Sequence, residues 1–464
     1  MSLSRRLFTQ LLLGSAASTL APSAAFGASQ AEAVLRATTQ MTDFGDLKRT
    51  SEIWRFLNAS GGTALRGVWQ DDFSVQVKND LKAATAVHWH GLRVPNEYDG
   101  VPGEGYEPIA AGNSESFSFK LKDPGTYWYH SHNRSWEQVA RGLYGPFVIE
   151  NPEEPQIPDF TVVIDDWTIN RSEELDWSSL GDGHAWSHGG NIGNLVTVNA
   201  EIAPTIAVPS SGYFRLRFLN AATARLFTPI VTALKAKVLA LDGFGTRPFD
   251  PQDEFLILGP SQRIDLLIDA TEISGQTIEI NEGDVPLFYL SANGEVEGGA
   301  PDVLDGFQDY HPEELIPDPR ASQKVQLYMA GGAMGSMQSA KIDGQDKGWR
   351  GLLDANKFWS FNGHADGGSD PLFKARIGET LDLHIINDSR WPHVIHFHGH
   401  HVLTRRNEAV PYEQGKFRDG VTLAPGTDME LSLRVSEPGS WLLHCHMLGH
   451  QASGISTWYE VSKA

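Results

Sequence analysis

A chain of 464 residues is long enough for a large core and, at the usual domain size, for about three domains. Its formal net charge of −21 argues against partners such as nucleic acid or anionic membranes and mildly favours cationic substrates, although solubility alone also accounts for such a charge. With one cysteine, the sequence excludes an intramolecular disulfide.

The N-terminus has the pattern of a twin-arginine signal peptide. Arg5 and Arg6 precede an apolar stretch, LLLGSAASTLA, and small residues from Ala25 to Ser29 suit a signal peptidase. The apolar run is short for a membrane span, so an uncleaved anchor is the weaker alternative. We expect residues 1–28 to be removed, which leaves a net charge of about −23 because two arginines and no acid are lost. The mature protein is then expected in the periplasm, exported by the twin-arginine machinery and without stable membrane association.

Short alternating segments separated by glycine and proline follow, a pattern typical of antiparallel β-sandwiches. The clearest predicted strands, in chain order, are SVQVKN (74–79), SFSFKL (116–121), YFRLRFLN (213–220), RIDLLIDA (263–270) and TLDLHIIN (380–387). The end of GPFVIENPEEP and the polar stretch GGAPDVLDGFQDYHPEELIPDPRAS are predicted connections. We therefore expect an all-β chain with domains at residues 37–150, 159–298 and 321–464.

Four motifs concentrate the histidines and the cysteine. They are His88 and His90 in AVHWHGLRV, His130 and His132 in TYWYHSHN, His393, His396 and His398 in WPHVIHFHGHH, and His444, Cys445, His446 and His450 in WLLHCHMLGHQASGI. Alternate residues of a strand share a face, so His444 and His446 are predicted to point one way and Cys445 the other. One segment then serves two metal sites, and a Cys-His-His trio is typical of blue copper. A buried cysteine near incidental histidines is the simpler alternative, but it does not explain four motifs.

An internal repeat relates the motifs to each other. His88 and His90 lie nine and eleven residues after Asn79, and His396 and His398 lie at the same distances after Asn387. The downstream halves of the two copies also agree, and they place Ser131 at the position that corresponds to Cys445. The first copy therefore keeps the histidine pairs and lacks the thiol.

A middle copy aligns through Asn220, but it carries Pro229 and Val231 where the other copies carry histidines. Neither side chain can bind a metal. The sequence thus predicts a metal site at the interface of the first and third copies, and a middle copy that acts as a structural spacer.

With these four motifs, HWHG, YHSH, HxxHxH and HCHxxxH, the chain resembles the three-domain multicopper oxidases, the family of laccases and of bacterial periplasmic cuprous and manganese oxidases. The resemblance covers nearly all of the mature chain. It implies three consecutive cupredoxin-like Greek-key β-sandwiches and four copper ions, one of type 1, one of type 2 and two of type 3. It assigns His393, Cys445 and His450 to type 1, His88 and His396 to type 2, and His90, His130, His132, His398, His444 and His446 to type 3.

The resemblance also implies an activity. A reducing substrate would lose one electron at the type 1 copper, and O2 would be reduced to water by four electrons at the trinuclear cluster, with Cys445 on the electron path. Asp99 matches the acidic proton relay of the family, although an Asp before Gly100 equally suits a turn. Gln451 stands where some relatives have a second acid. Ile455 takes the axial position of type 1 without coordinating, which predicts a higher reduction potential than a methionine there would give.

The reducing substrate is open among phenols, Cu(I) and Mn(II). Met329, Met334 and Met337 are soft donors that suit Cu(I), although packing is the commoner role of methionine. His184 and His188 are expected in a surface loop rather than at a substrate or metal.

Of the neighbouring residues His400 and His401, one is expected to face solvent or to support a ligand. His311, His364 and His384 have no spacing signal. These five histidines are therefore not assigned as ligands.

Three alternatives remain beside a monomeric oxidase. A copper-free relative of the same fold would have lost ligands, whereas all eleven are present here. A copper resistance or storage protein without turnover would carry Met- or His-rich tracts. A copper nitrite reductase would have two domains and a single catalytic copper.

Overall fold

The computed structural model describes residues 33–463 except 46, 48–49, 104–105, 252–255, 295, 299–302 and 321–322. The predicted signal peptide lies outside the described residues. Within them the chain forms 29 strands and four short α-helices, so the predicted all-β class is confirmed. None of the described helices is both long and apolar enough to cross a membrane.

The first sandwich is built from two facing sheets. Its strands are β1 (Ala33–Thr42), β2 (Ser51–Leu57), β3 (Leu65–Val68), β4 (Asp72–Asn79), β5 (Ser114–Lys120), β6 (Gly125–His130) and β7 (Tyr144–Glu150), with helix α1 (Ser135–Gln138) between the last two. One sheet has the order β2-β1-β4-β5 and the other β3-β7-β6. Aromatic residues fill the space between them, including Phe73, Trp89, Phe117 and Phe147.

The middle sandwich has a larger first sheet, with the order β13-β12-β14-β11-β8-β9, and a second sheet β10-β16-β15. Its elements are β8 (Asp159–Trp167), α2 (Gly183–Ser187), β9 (Leu195–Val198), β10 (Thr205–Ala207), β11 (Tyr213–Asn220), β12 (Lys237–Leu241), β13 (Phe244–Phe249), β14 (Arg263–Asp269), β15 (Thr277–Glu282) and β16 (Val285–Ser291). Helix α2 belongs to a long excursion between β8 and β9 that reaches the third sandwich, where α2 packs against helix α4 (Leu448–Ala452).

The third sandwich holds the sheets β20-β17-β22-β27-β24-β25 and β21-β29-β28-β23-β26, with a hairpin β18-β19 beside them. Its further elements are β17 (Gln323–Gly331), β18 (Ser339–Ile342), β19 (Gln345–Gly348), α3 (Trp349–Asp354), β20 (Trp359–Phe361), β21 (Lys374–Arg376), β22 (Thr380–Asn387), β23 (His393–Phe397), β24 (Val402–Asn407), β25 (Phe417–Arg418), β26 (Gly420–Leu423), β27 (Asp428–Arg434), β28 (Gly439–Cys445) and β29 (Ser456–Ser462).

The five clearest predicted strands are confirmed as β4, β5, β11, β14 and β22. The first strand begins at Ala33, four residues before the expected start of the first domain, because β1 pairs in parallel with β4 from that residue onward. The Pro-rich connection before the third sandwich packs against the protein: Phe307 joins a small core with Leu239, and Leu315 joins another with Phe244.

One asparagine closes the same strand of each sandwich and makes the same contacts. The side-chain amide of Asn79 donates to the carbonyls of Ala83 and Ile109, and its oxygen accepts from the N–H two residues on. Asn220 and Asn387 repeat this pattern, each donating to two carbonyls and accepting from the N–H two residues on. The predicted threefold repeat is therefore present in three dimensions, anchored by one buried side chain in each copy.

Candidate metal centre

Strand pairing places the four motifs next to each other. In the third sandwich β23 pairs with β28, so that His396 lies opposite His444 and Ile395 opposite Cys445. In the first sandwich, the N–H of His88 donates to the carbonyl of His130 and the reverse bond is also formed, at 2.9 and 3.1 Å. Each outer sandwich thus presents two adjacent His-x-His pairs at their common interface.

The predicted type 2 ligands face each other across that interface. The Nε2 atoms of His88 and His396 are 3.3 Å apart. Their Nδ1 atoms donate at 2.8 Å to the main-chain carbonyls of Asp99 and Asp419 respectively. Because each Nδ1 carries the proton, each Nε2 has a free lone pair, and both lone pairs can bind one ion.

The six predicted type 3 ligands separate into two triads. In the first triad, Nε2 of His130 lies 3.4 Å from both Nδ1 of His90 and Nε2 of His446. The Nδ1 of His130 contacts the carbonyl of Ser131 at 3.1 Å, which leaves Nε2 as the donor atom. This triad takes two ligands from the first sandwich and one from the third.

The second triad combines His132, His398 and His444, whose nearest ring nitrogens all lie within 4.8 Å of one another. The Nε2 atoms of His398 and His444 are 3.0 Å apart, and Nδ1 of His444 donates to the carbonyl of Cys445 at 2.9 Å. This triad takes one ligand from the first sandwich and two from the third. The two triads therefore complement each other across the interface.

Cys445 contacts a different set of histidines from its two neighbours in sequence. Its Sγ atom lies 3.5 Å from Nδ1 of His393 and 3.9 Å from Nδ1 of His450, and these two nitrogens are 3.1 Å apart. Trp359 packs against both rings, with centroid distances of 4.9 and 4.4 Å. All three predicted type 1 ligands are fully buried. A buried thiol with two imidazoles is the donor set of a blue-copper site.

Burial determines the protonation of these side chains. It is the largest cause that lowers the pKa of His444 and of His450 to about 4, and it lowers the pKa of His90, His130, His132, His393, His396, His398 and His446 as well. These rings are therefore neutral ligands at neutral pH. Burial also raises the pKa of the Cys445 thiol to about 12, so a thiolate there requires a bound cation.

The donor set fits copper on two further grounds. In the described part of the chain, the buried Nε2 of His132 has no hydrogen-bond partner, which leaves a polar atom that an ion would satisfy. Ten imidazoles and a thiol are ligands that suit copper.

Two aspartates connect the outer sandwiches, because each contacts one histidine of its own sandwich and one histidine of the other. The carboxylate of Asp99 accepts from Nδ1 of His398 at 2.9 Å, while its main-chain carbonyl accepts from the type 2 histidine of its own sandwich. Asp419 does the reverse: its carbonyl serves the type 2 histidine of the third sandwich, and its carboxylate lies 3.1 Å from Nε2 of His90. Asp419 is a site residue that sequence analysis does not identify. Its only signal is the Asp-Gly dipeptide that it shares with Asp99.

The middle sandwich also reaches the site. The guanidinium of Arg263 donates to both carboxylate oxygens of Asp419, at 2.9 and 2.5 Å, and both side chains are fully buried. The carbonyl of His188 accepts from Nε2 of His450 at 2.8 Å. The middle copy has Pro229 in place of a ligand, as expected, but the expectation that it is only a spacer is wrong.

The type 2 pair and the two triads together form a histidine cage. Asp99 also lines an open cavity beside this cage. The cavity has a volume of about 240 Å³, and its other lining residues are Asn96, Glu97, Val101, Tyr106, Ser440 and Leu442. Asp99 itself is only 4% exposed. Asp99 therefore contacts a ligand ring through its carboxylate and is also one of the residues that line a cavity open to water.

Ile455 lies in the same core cluster as Cys445 and is fully buried. Its carbonyl accepts from the N–H of Cys445 at 3.0 Å, which fixes it next to the thiol, and its side chain offers no donor atom. Gln451 accepts from the hydroxyl of Ser135 at 3.1 Å, so this amide links the two outer sandwiches.

The two histidines that follow the third motif are buried beside the ligand set. His400 and His401 are both buried, so neither faces solvent, and Nδ1 of His400 lies 3.3 Å from the main-chain carbonyl of His398, which fits the other alternative, support of a ligand. His400 accepts at Nε2 from the N–H of Glu437 at 3.2 Å and contacts the hydroxyl of Tyr459 at 3.0 Å. His401 packs against Phe244 of the middle sandwich.

The three methionines do not form one group. Met329 is buried in the main core of the third sandwich, Met337 packs against a small cluster with Leu352, and Met334 is 75% exposed. Met329 and Met337 therefore have packing roles, and only Met334 offers an accessible thioether.

Comparison with known proteins agrees with this geometry. A family model described as "Multicopper oxidase" matches residues 38–154, and a second with the same description matches residues 342–464. The multicopper oxidase MmcO of Mycobacterium tuberculosis is 27% identical over 86% of this chain and 81% of its own length. Laccase-1 of Botryotinia fuckeliana is 25% identical over 88% of this chain and 79% of its own.

Solved structures give the same result. Lac15 from a marine microbial metagenome is 31% identical, with a TM-score of 0.69 over 93% of this chain and 99% of the other. A multi-copper oxidase from Pseudomonas thermotolerans is 25% identical, with a TM-score of 0.78 over 92% and 98% of the two chains. These neighbours confirm the cupredoxin-like sandwiches that the sequence predicts.

Proposed function

The chain belongs to the multicopper oxidase family, and from this premise we propose that it holds four copper ions and couples one-electron oxidation of a reducing substrate to four-electron reduction of O2 to water. It is a copper-dependent, laccase-like oxidoreductase. The number of coppers and the product of O2 reduction are the proposed parts.

The observation that carries the proposal is the position of Cys445. This residue belongs to the Cys-His-His trio, and its two neighbours, His444 and His446, belong to the two triads of the cage. A single peptide segment therefore joins a site suited to one-electron transfer to a site with room for several ions. A protein that only stores copper has no need for such a connection.

Bound copper would supply the redox chemistry: acceptance of single electrons at the trio, and binding and reduction of O2 at the cage. His393, Cys445 and His450 are proposed as type 1 ligands, His88 and His396 as type 2 ligands, and the two triads as type 3 ligands. The protein holds these side chains in fixed tautomers through carbonyl and carboxylate acceptors and excludes water from the trio.

Asp99 is proposed to move protons to the cage. Its carboxylate accepts from the ring of His398, and the residue lines a cavity open to water, which offers protons a short route from solvent. Gln451 cannot share this role as a second acid, because an amide does not titrate.

Export to the periplasm through the twin-arginine machinery and a monomeric state complete the proposal. The arginine pair and the apolar stretch of residues 1–28 support the export route. Replacement of Arg5 and Arg6 by lysine should leave the protein in the cytoplasm, and cell fractionation measures this. Periplasmic protein with both lysines present would contradict the route.

The activity is tested with copper-loaded protein and an oxygen electrode, with a phenol, Cu(I) and Mn(II) supplied in parallel. We expect four coppers per chain by metal analysis, blue absorbance, and four substrate electrons consumed per O2 without release of peroxide. Copper binding without O2 consumption would indicate a storage protein, and accumulated peroxide would contradict reduction to water.

A further inference from the structure

A row of buried charges begins at the histidine cage and continues into the middle sandwich. Its first member is Asp419, whose carboxylate lies 3.1 Å from Nε2 of His90. The next member is Arg263, which donates to Asp419 at 2.9 and 2.5 Å. The Nη1 atom of Arg263 also lies 3.5 Å from the carboxylate of Asp242. Negative and positive groups therefore alternate along this row, and none of these three charged side chains has exposed surface.

The row returns from the middle sandwich to the third. Nε of Arg418 lies 2.9 Å from the second carboxylate oxygen of Asp242, and Nη2 of Arg418 lies 3.4 Å from Oε1 of Glu413. The side chains of Arg418 and Glu413 are also fully buried. We call the whole row the charge chain, with the order Asp419, Arg263, Asp242, Arg418 and Glu413. It connects the cage to the loop between β24 and β25.

The charge chain contains three acids and two arginines. An arginine stays protonated, so the chain carries one excess negative charge when all three acids are ionised. An uncompensated buried charge is costly, and a buried acid avoids this cost by taking up a proton. One proton therefore makes the chain neutral, and the acid with the fewest stabilising contacts is the one that holds it.

Glu413 is the least stabilised of the three acids. Asp419 accepts two hydrogen bonds from one guanidinium, and Asp242 accepts from two main-chain N–H groups, at 2.9 and 3.3 Å, besides its contacts with both arginines. Within the described residues Oε1 of Glu413 has no hydrogen-bond partner, and Oε2 accepts from Asn407 at 3.3 Å. Burial, opposed by Arg418 and reinforced by Asp242, raises the pKa of Glu413 to about 7. A small change in the surrounding charge therefore changes its protonation near neutral pH.

Glu413 lies close to the protein surface. Pro411, Gln414 and Gly415 of the same loop are exposed. Tyr412 fixes the loop, because its ring packs in the core of the middle sandwich. Glu413 is thus one residue from exposed backbone, although its own side chain is buried.

We propose that Glu413 is a proton-exchange residue that responds to the charge of the cage through the charge chain. The proposal rests on the proposed function. Electrons that enter the cage lower its positive charge, and the carboxylate of Glu413 then takes up one proton from solvent. The proton returns to solvent when the electrons pass to O2, so no other bond changes. Because charges in a low-dielectric interior interact over several contacts, this compensation favours the entry of further electrons.

The test compares the wild-type holoenzyme with Glu413→Gln, which resembles the protonated acid in shape and charge and should keep the blue absorbance. Both proteins are reduced electrochemically without O2, and the protons taken up near pH 7 are measured with a pH indicator. We expect the variant to take up fewer protons, by up to about one per chain. In infrared difference spectra, reduction of the wild type should add the carbonyl band of a protonated carboxyl, and the variant should lack this band.

Asp165→Asn is the matched control. Burial also raises the pKa of Asp165, but its carboxylate is bonded to the hydroxyl of Tyr144 and is not a member of the charge chain. This variant should keep the redox-linked band and the wild-type proton uptake.

Absence of the band from the wild type would by itself overturn the inference, whether or not the Glu413 variant folds. Equal proton uptake by wild type and Glu413→Gln, or loss of the band in Asp165→Asn, would overturn it too. Each of these results leaves the proposed function intact as long as the wild type reduces O2. A wild-type holoenzyme that does not reduce O2 would refute the proposed function itself.

Discussion

The first and third sandwiches contain the same pocket, and only the pocket of the third has the donor set of a metal site. In the third sandwich, His393 and Cys445 meet at 3.5 Å. The corresponding residues of the first sandwich are Thr85 and Ser131, whose hydroxyls are 3.2 Å apart and both donate to the side-chain oxygen of Gln138, at 2.8 and 2.6 Å.

The comparison shows how the same fold either creates or removes a metal site. The pocket of the first sandwich is as buried as that of the third, but its hydroxyls satisfy each other through one amide. The pocket of the third sandwich contains a thiol and two imidazoles. These three groups cannot all satisfy one another with hydrogen bonds. The third pocket therefore presents three donor atoms to an ion, whereas the two hydroxyls of the first are already bonded to Gln138.

The largest effect is expected from Cys445→Ser, which gives the third pocket the hydroxyl of the first. A serine hydroxyl stays protonated and does not replace a thiolate as a copper ligand, so blue absorbance and substrate oxidation should fall to background. Absorption spectra and O2 uptake measure the loss. The reverse exchange, Ser131→Cys, is the control and should create no second blue site because Thr85 and Trp136 stand where His393 and His450 would be needed. A blue Cys445→Ser protein would contradict the assignment.

The asparagine anchors test whether the copies are independent. Asn220→Ala removes three buried hydrogen bonds and should lower the free energy of unfolding by about 2–4 kcal/mol, with the blue absorbance of the folded protein unchanged. Asn387→Ala should cost a similar amount but also disturb the blue site, because its amide holds the carbonyl of Trp391, two residues before His393. Thermal unfolding and spectra of the holoenzymes separate the two outcomes. Equal spectra would show that the anchor does not position the ligand.

The contact of Asp419 with His90 allows a smaller and more selective change. Asp419→Asn keeps the main-chain bond to His396 but weakens the contact to His90, and we expect activity to fall about 10–100-fold, as for other outer-shell partners. The magnetic resonance signal of the trinuclear copper should change, whereas blue absorbance should not. Asp242→Asn is the control, since Asp242 also contacts Arg263, at 3.5 Å, without touching any of the ligands. A loss of activity equal in both variants would indicate a general loss of packing.

The smallest change concerns the axial position of the third pocket. Ile455→Met adds a thioether that stabilises the oxidised ion, so the type 1 reduction potential should fall and substrate oxidation should slow by less than about tenfold. Redox titration of the blue absorbance measures the potential, and Ile455→Leu is the matched control. An unchanged or higher potential in the methionine variant would show that residue 455 is not axial.

Local patterns predict much of this molecule. The alternating strands, the three asparagines and the spacing of the histidine pairs are all visible in the sequence, because each depends on residues that are close along the chain. The structure brings together all eleven residues to which family resemblance assigns copper.

The remaining features depend on distances along the chain that no pattern shows. Asp419 lies 23 residues after His396, whereas Asp99 lies only 11 after His88, because β24 and β25 are inserted in the third copy. The contact of His188 with His450 joins residues 262 positions apart, and the sequence favours a plain surface loop there. His401 carries no sign that it packs under the middle sandwich.

The sharing of ligands between the first and third sandwiches has a consequence for how the protein matures. The pair and both triads of the cage take side chains from both outer sandwiches, and a partly synthesised chain lacking β28 has only the pair of His88 and His396 complete. Both triads and the trio could therefore take up copper only after the last strands have formed, and ions in the triads would then join the first and third sandwiches of a chain that has no disulfide. Complete copper loading would therefore require the full-length, folded chain.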